Sequence, residues 1–164
     1  MAFSGYAKLG DIKGGSTEEK HKDWCELLSC NHVMKQPASA SRSLEGGGAT
    51  GDVEHGEWTF SKHMDCASPK LYEALNKGTH IEKVEVELVR PGGDPVVYMK
   101  FTMENVVVTS VEMEGNTKGE PIYPSEIIGL TYDNIQWEYD KQDTKGKSTG
   151  KVATKMSLAK VSAA

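Results

Sequence analysis

The chain has 164 residues, with 24 acidic and 19 basic side chains, a formal net charge of −5 and 17 glycines. Its length suits one hydrophobic core better than two, so we expect a single domain over residues 1–164. The acidic balance, with no cluster of Lys or Arg among aromatics, argues against a nucleic-acid partner, and no apolar stretch is long enough to span a membrane.

The first half of the chain alternates strand patterns with polar segments. A short strand is predicted at Phe3–Leu9, and the charge run from Glu18 to Asp23 is predicted to be a solvated loop. Apolar residues from Trp24 to Met34 favour a strand that is covered on both faces. The polar stretch from Pro37 to Asp52 is far longer than a hairpin connection, and loops of this length are often functional. The next strand is predicted at Val53–Met64.

The segment that follows is the only one with the start and stop signals of a helix. Ser68 is predicted to be the N-cap, Pro69 suits the first helical position, and Gly78 can end the helix in the left-handed conformation. We therefore predict a helix at about residues 69–77. Its apolar face would pack on a sheet and consists of Leu71, Tyr72, Ala74 and Leu75.

After the helix the period-two alternation is clearer. Val84, Val86 and Leu88 alternate with Glu85 and Glu87, which predicts a strand with one wet face. Further strands are predicted at residues 97–103, 106–113, 128–132, 135–139 and 152–158. The inward face switches near residues 133–134, which predicts a bulge or tight turn there. Together the patterns predict a mainly β fold, a barrel or sandwich, with one helix.

Nothing in the sequence forms a complete phosphate-binding or metal motif. Gly146-Lys147-Ser148 resembles the end of a P-loop, but Lys141 stands where that motif needs glycine. Three cysteines, Cys25, Cys30 and Cys66, cannot all pair, which suits a reducing cytoplasm. Cysteine and histidine spacing, including His63-x-x-Cys66, is not a zinc pattern. We therefore expect buried, inert thiols, no metal and no cofactor.

Two other groups of residues leave alternatives open. Glu85 and Glu87 lie on one strand face, as a hydrolase carboxylate pair could, but a solvated outer face explains them more simply. Trp58, Trp137 and Tyr139 could stack on bases or sugars, although core and interface packing is the simpler interpretation.

An ordered set of segments resembles the Hcp family, the haemolysin-coregulated proteins that form the inner tube of bacterial type VI secretion systems. The segments run from Met1 to about Lys160 in matching order and spacing. They are Asp11-Ile-Lys-Gly14, His21-Lys22, Trp58-Thr-Phe-Ser-Lys-His-Met-Asp65, Ser68-Pro69-x-Leu71, Tyr98-Met-Lys-Phe101, Val106-Val-Val-Thr-Ser-Val111, Glu126-Ile-Ile-Gly-Leu-Thr-Tyr132 and Ile135-x-Trp137-x-Tyr139.

The resemblance implies a two-sheet β-barrel with one flanking helix, and homohexameric rings that stack into a tube. It implies no enzymatic activity. It further implies a contractile sheath and a spike protein as partners, and small effector proteins in the ring lumen. The long loop would contact a neighbouring subunit or ring through Pro37, Ser39, Ser41, Arg42, Leu44, Glu45, Gly46, Gly47 and Gly48.

The resemblance also concerns localisation. Met1–Leu9 lacks the basic and apolar regions of a signal peptide. We therefore expect a protein that is cytoplasmic in the producing bacterium and is then secreted by a signal-peptide-independent route.

Two other functions stay open at this point. One is a monomeric β-barrel that binds a small ligand or an oligonucleotide. The other is a minor hydrolase whose site would use His63, Cys66 or Glu85.

A physical argument also favours assembly. A chain rich in strands must pair or protect the edges of its sheet, and ring assembly is one way to do so.

Overall fold

The structure is a computed structural model that describes residues 2–36, 53–92, 94–120 and 122–158. It is mainly β with one α-helix, which confirms the predicted class. The strands are β1 (Ser4–Leu9), β2 (Cys25–Leu27), β3 (Ser29–Lys35), β4 (Glu54–His63), β5 (His80–Arg90), β6 (Val96–Glu114), β7 (Ser125–Thr131), β8 (Asn134–Gln142) and β9 (Ser148–Ser157); the helix is α1 (Ser68–Lys77), and a 3-10 helix spans Glu19–His21.

The nine strands form one antiparallel sheet that divides at β6. The main order is β2-β1-β5-β6-β7-β4-β3, and β8 also pairs with β6 and carries β9 on its other edge. β6 has 19 residues, which is long enough to pair with β8 through residues 99–104 and with β7 through residues 107–114. We call β7, β4 and β3 the β3 branch, and β8 and β9 the β9 branch.

The two ends of the main order meet at Leu28. β2 and β3 are the terminal strands of that order, yet Leu28 is the one residue between them in the sequence. The backbone N–H of Leu28 donates to the carbonyl oxygen of Ser61, in β4, at 2.8 Å. The main order therefore curls around a common interior, and the strand predicted at Trp24–Met34 is in fact two strands that turn at Leu28.

The interior is filled from both halves of the sheet and from the helix. Fully buried side chains include Trp58 and Phe60 of β4, Leu130 of β7, Met103 of β6 and Leu71 of α1. Their burial is the main favourable term in folding, at about 25 cal/mol for each Å² of apolar surface removed from water.

The prediction that Leu88 points inward, in alternation with Val84 and Val86 of β5, is wrong. A register shift after Leu88 turns Val89 inward and leaves Leu88 only partly buried.

The helix begins one residue earlier than predicted, and Ser68 is not its N-cap. Ala67 holds that position without a side-chain cap, so Ser68 and Pro69 are the first two helical residues. The Ser68 hydroxyl accepts from the N–H of Asp65 at 3.1 Å, while the Asp65 carboxylate accepts from the N–H of Ala67 at 3.0 Å. Gly78 ends the helix with φ 63°, a conformation that glycine adopts without steric cost.

The predicted solvated loop at Glu18–Asp23 contains a buried residue. It folds into the 3-10 helix Glu19–His21, and the His21 side chain is 1% exposed. The His21 ring stacks on Tyr6 at a centroid distance of 4.2 Å and meets the edge of Trp24. The segment Glu18–Asp23 therefore packs on the outer face of β1 through the contact of His21 with Tyr6.

Candidate functional site

β9 is an edge strand whose outer edge pairs with nothing in the described part of the chain. It pairs with β8 alone, and its side chains from residue 148 to residue 156 are all exposed. An unpaired edge offers a row of N–H and C=O groups to another chain. This edge is therefore a candidate site for contact with a second polypeptide.

The inner face of the β9 branch continues beyond the core. In the register of the sheet, Met156 lies opposite buried Ile135, and Val152 lies opposite Tyr139. These positions share the inward parity, yet Tyr139, Val152 and Met156 are 44%, 59% and 43% exposed. The described residues do not cover this apolar strip, as is typical of interaction surfaces.

Two other groups of exposed apolar residues lie elsewhere on the fold. At the β3 branch they are Val33, Met34 and Val53, and where β6 connects to β7 they are Met113, Ile122 and Tyr123.

The pairing of β3 with β4 has a register shift between His32 and Met34, and there the backbone of Val33 lies close to Gly56. A Cβ at Gly56 would lie 3.1 Å from the carbonyl oxygen of Val33, so glycine permits this approach.

A buried ion pair fastens the helix to β4 and β7. The Lys62 ammonium lies 2.9 Å from a Glu126 carboxylate oxygen and 2.7 Å from the Asp65 carboxylate. The hydroxyls of Ser68 and Tyr72 both donate to Glu126. Burial alone would raise the Glu126 pKa, but the hydrogen bonds from Tyr72, Lys62 and Ser68 outweigh it and lower the pKa. Likewise, burial alone would lower the Lys62 pKa, and its hydrogen bonds to Asp65 and Glu126 raise it.

His21 lies between two carboxylates. Its Nδ1 is 2.5 Å from Glu18 and its Nε2 is 2.7 Å from Glu87. Ionised carboxylates only accept hydrogen bonds, so each contact is a hydrogen bond when the ring nitrogen that faces the carboxylate carries a hydrogen. Glu85 and Glu87 were expected to lie on a solvated outer face, and this is wrong. Each side chain is only 16% exposed and forms an ion pair with Lys100. The two carboxylates are thus part of an ion-pair network with Lys100.

A second cluster joins β3 and β4 to the turn between β7 and β8. The hydroxyl of Tyr132 lies 2.6 Å from His55 Nδ1 and 2.9 Å from His32 Nε2. The Trp137 ring, on β8, is 6.4 Å from the His55 ring. Burial lowers the pKa of both histidines, and the neighbouring His55 lowers that of His32 further. No local pattern in the sequence indicates this cluster.

The cysteines differ in environment, so the expectation of buried thiols holds for Cys25 alone. Cys25 is buried, Cys30 is partly buried and Cys66 is exposed, and all three are free. Burial raises the pKa of the Cys25 thiol to about 12, which keeps it protonated and unreactive. Among the described residues no three His, Cys, Asp or Glu side chains are placed to hold a metal ion.

The other residues singled out in the sequence are dispersed. Trp58 lies in the core and is 1% exposed, Trp137 is partly buried, and Tyr139 is part of the exposed strip. The predicted contact residues from Pro37 to Gly48 lie outside the described residues. No helix in the described ranges has the length and apolar character needed to cross a membrane.

Comparison with known proteins gives consistent matches. The model of a family described as "Type VI secretion system effector, Hcp" matches residues 6–139. Protein hcp1 of Pseudomonas aeruginosa is 29% identical over 151 residues, which cover 92% of this chain and 91% of that protein. The Major exported protein of the same species is 26% identical over 142 residues, which cover 83% and 80%. A solved structure described as a type six secretion system protein has a TM-score of 0.90 at 33% identity and covers 97% of this chain and 98% of that one.

Proposed function

Since the chain belongs to the Hcp family of type VI secretion proteins, we propose that it is the structural tube subunit of such a system. In this proposal residues 1–164 form one domain, six copies form a ring, and the rings stack into the tube. The proposed partners are further copies of the chain, a spike protein, a contractile sheath, and small effector proteins held in the lumen. The subunit has no catalytic role.

The observation that carries the proposal is the uncovered strip on the β9 branch. Tyr139, Val152 and Met156 face the inner side of the sheet, where a monomer would normally cover them. A closed ring needs two different complementary surfaces on each subunit, because its contacts are head-to-tail. The β9 strip is one such surface, and the exposed apolar residues Val33 and Met34 of the β3 branch provide a second.

The long polar segment is proposed as a further contact. Residues from Pro37 to Gly48 are rich in Ser and Gly and poor in apolar side chains, so they suit an arm that reaches a neighbouring subunit or ring better than a core element. Its place in the chain corresponds to the extended loop that the family resemblance implies.

Export is proposed to follow from assembly. One relative of this chain carries the name Major exported protein. We extend export to this chain, by a route in which the folded ring is expelled and no signal peptide is read. The chain would be cytoplasmic in the producing bacterium before that step.

Negative-stain electron microscopy of the purified chain tests the proposal. We expect end-on views of six-membered rings with a central opening. A Val152→Glu variant should lose the rings, because the change places a charge on the apolar strip, while Val152→Thr keeps the side-chain shape and most of the rings. Only compact monomeric particles in the unmodified protein would overturn the proposal and favour a monomeric binding module.

A further inference from the structure

The His32, His55 and Tyr132 cluster joins side chains from β3, from β4 and from the end of β7, which are neighbours in the sheet. His32 lies on β3, His55 on β4 and Tyr132 in the turn between β7 and β8. Tyr132 is 6% exposed, and its hydroxyl lies within hydrogen-bond distance of both imidazole rings. The sequence separations are 100 residues to His32 and 77 to His55, so the cluster exists only in the folded chain.

The hydrogen bonds of the cluster are complete when both histidines are neutral. The Tyr132 hydroxyl has one hydrogen to donate, and its oxygen can accept. It can therefore donate to the unprotonated nitrogen of one ring and accept from the N–H of the other.

No charged group in the described residues compensates a proton added to the cluster. From the neighbouring strands, His32 shares its row of the sheet with Trp58 of β4, Leu130 of β7 and Val108 of β6. From β8 the facing side chain is Trp137.

Two of the acidic residues near the cluster in the sequence have other partners. The Glu57 carboxylate accepts from Thr109, and the Asp133 carboxylate accepts from Asn105. A third, Glu54, lies opposite Lys35 in the register of β3 and β4. Among the described residues, the titratable groups in contact with His32 are Tyr132, through its hydroxyl, and His55, whose ring centroid is 5.9 Å away.

One added proton leaves the chain of hydrogen bonds intact, because the ring that stays neutral can carry its proton on the outer nitrogen and accept from Tyr132. A second added proton breaks the chain, since His32 and His55 then both present N–H groups to one hydroxyl oxygen and the Tyr132 hydrogen loses its acceptor. Two cationic rings would then lie with centroids 5.9 Å apart. A buried hydroxyl without a partner and two adjacent cations both disfavour the closed arrangement.

We infer that the cluster is a proton-sensitive latch that holds β3 and β4 against the turn between β7 and β8 and opens on mild acidification. The sign follows from linkage: the folded chain holds the histidines neutral, whereas the unfolded or opened chain binds protons below the ordinary imidazole value of about 6.5. The latch is therefore closed above that pH and is progressively lost as the pH falls below it.

The latch also bears on assembly, and this step rests on the proposed function. His32 and Met34 belong to the same strand, and Met34 is one of the exposed apolar residues proposed as a ring surface. Opening the latch would loosen that strand and its neighbour β4. Acidification should then dissociate the rings by disordering one of their two contact surfaces.

Hydrogen exchange of the full chain, read by mass spectrometry at pH 7.5 and 5.5 and corrected for intrinsic exchange, tests the latch directly. We expect protection of residues 29–35 and 54–58 to fall by up to about a hundredfold per pH unit below 6.5, the limit for uptake of two protons. His32→Gln should abolish this pH dependence, since glutamine can accept from Tyr132 and does not titrate.

Two further variants keep the test decisive if His32→Gln folds poorly. Tyr132→Phe removes the shared hydroxyl, so it should lower protection at pH 7.5 and leave little further loss at pH 5.5. His80→Gln removes an exposed histidine outside the cluster and should keep the response of the unmodified chain. An unchanged protection of the unmodified chain at pH 5.5 would overturn the inference, as would a full response in His32→Gln.

Light scattering on the same samples separates the latch from the proposed function. Rings at pH 7.5 that become smaller species at pH 5.5, with resistance in His32→Gln, support the link to assembly. Intact rings at pH 5.5 with an open latch would overturn that link. A monomer at both pH values would contradict the ring proposal, while the exchange data would still decide whether the latch exists.

Discussion

The Lys62 ammonium lies 2.9 Å from the Glu126 carboxylate, and both side chains are fully buried. The pair joins β4 to β7, and the Ser68 and Tyr72 hydroxyls bring the helix to the same carboxylate. Two charges removed from water are tolerated only when each is paired and hydrogen-bonded. Here the paired charges position α1, the one α-helix of the described chain, on the sheet.

Removal of the Glu126 charge should therefore destabilise the fold strongly. We expect Glu126→Gln to lower the free energy of unfolding by about 3 kcal/mol, the lower end of the cost of breaking a buried pair, because the Lys62 charge stays buried and keeps Asp65 as its remaining carboxylate partner. Urea denaturation at fixed protein concentration measures this. Glu73→Gln is the matched control, since it breaks two exposed helix-surface pairs with Lys70 and Lys77 and should cost less than about 1 kcal/mol. Equal costs for the two variants would contradict the structural role of the buried pair.

The same pair predicts how stability depends on pH. The pKa of Glu126 is lowered in the folded chain, so its contribution is present above the ordinary carboxyl value and is lost as the pH falls through the lowered folded value. Glu126→Gln should flatten this acidic part of a stability-versus-pH curve obtained from thermal melts. A curve that stays as steep in the variant as in the parent would show that other carboxylates dominate.

The left-handed residue at the end of the helix predicts a smaller change in stability. Gly78 has φ 63°, and apart from its neighbours along the chain no atom of the described residues lies within 4 Å of the place where its Cβ would be. Alanine would therefore meet backbone strain alone, and Gly78→Ala should cost about 1 kcal/mol. Gly78→Asn should cost less, because asparagine tolerates the left-handed conformation. Both costs can be read from urea midpoints, and equal costs would argue against the left-handed end.

Shortening the long polar segment should separate folding from assembly. Replacement of Ser39–Gly51 by a brief glycine linker should leave the β-sheet circular dichroism spectrum unchanged, since surface loops tolerate length changes at small entropic cost. The average mass by light scattering should fall because a proposed contact is lost. A variant that loses its fold would show that the segment belongs to the core.

Local sequence patterns predicted the mainly β class and Gly78 as the end of the helix, because alternation and capping depend on neighbours along the chain. The same patterns also contained a signal that was not used. Lys62 shares the inward parity of Trp58 and Phe60, and a charged residue at such a position predicts a buried partner. The identity of that partner, Glu126, depends on the pairing of β4 with β7 and could not be read locally.

The remaining misses have the same cause. His21 looked like part of a solvated charge run, and its partner Glu87 is 66 residues away. The cluster at Tyr132 likewise joins residues from three distant segments. The split of the predicted strand at Leu28 arises because the sheet curls until its ends meet, which is a property of the whole topology. Contacts between distant segments thus account for each feature that the sequence left undetermined.

Absolute mass of the purified chain by light scattering coupled to gel filtration tests the central proposal most directly. At micromolar concentration and pH 7.5 we expect about 107 kDa, six times the chain mass of 17.9 kDa. Val152→Glu should lower this mass without changing the circular dichroism spectrum, and Val152→Thr should keep it. A monodisperse species of about 18 kDa for the unmodified chain would contradict the assembly of this protein into rings.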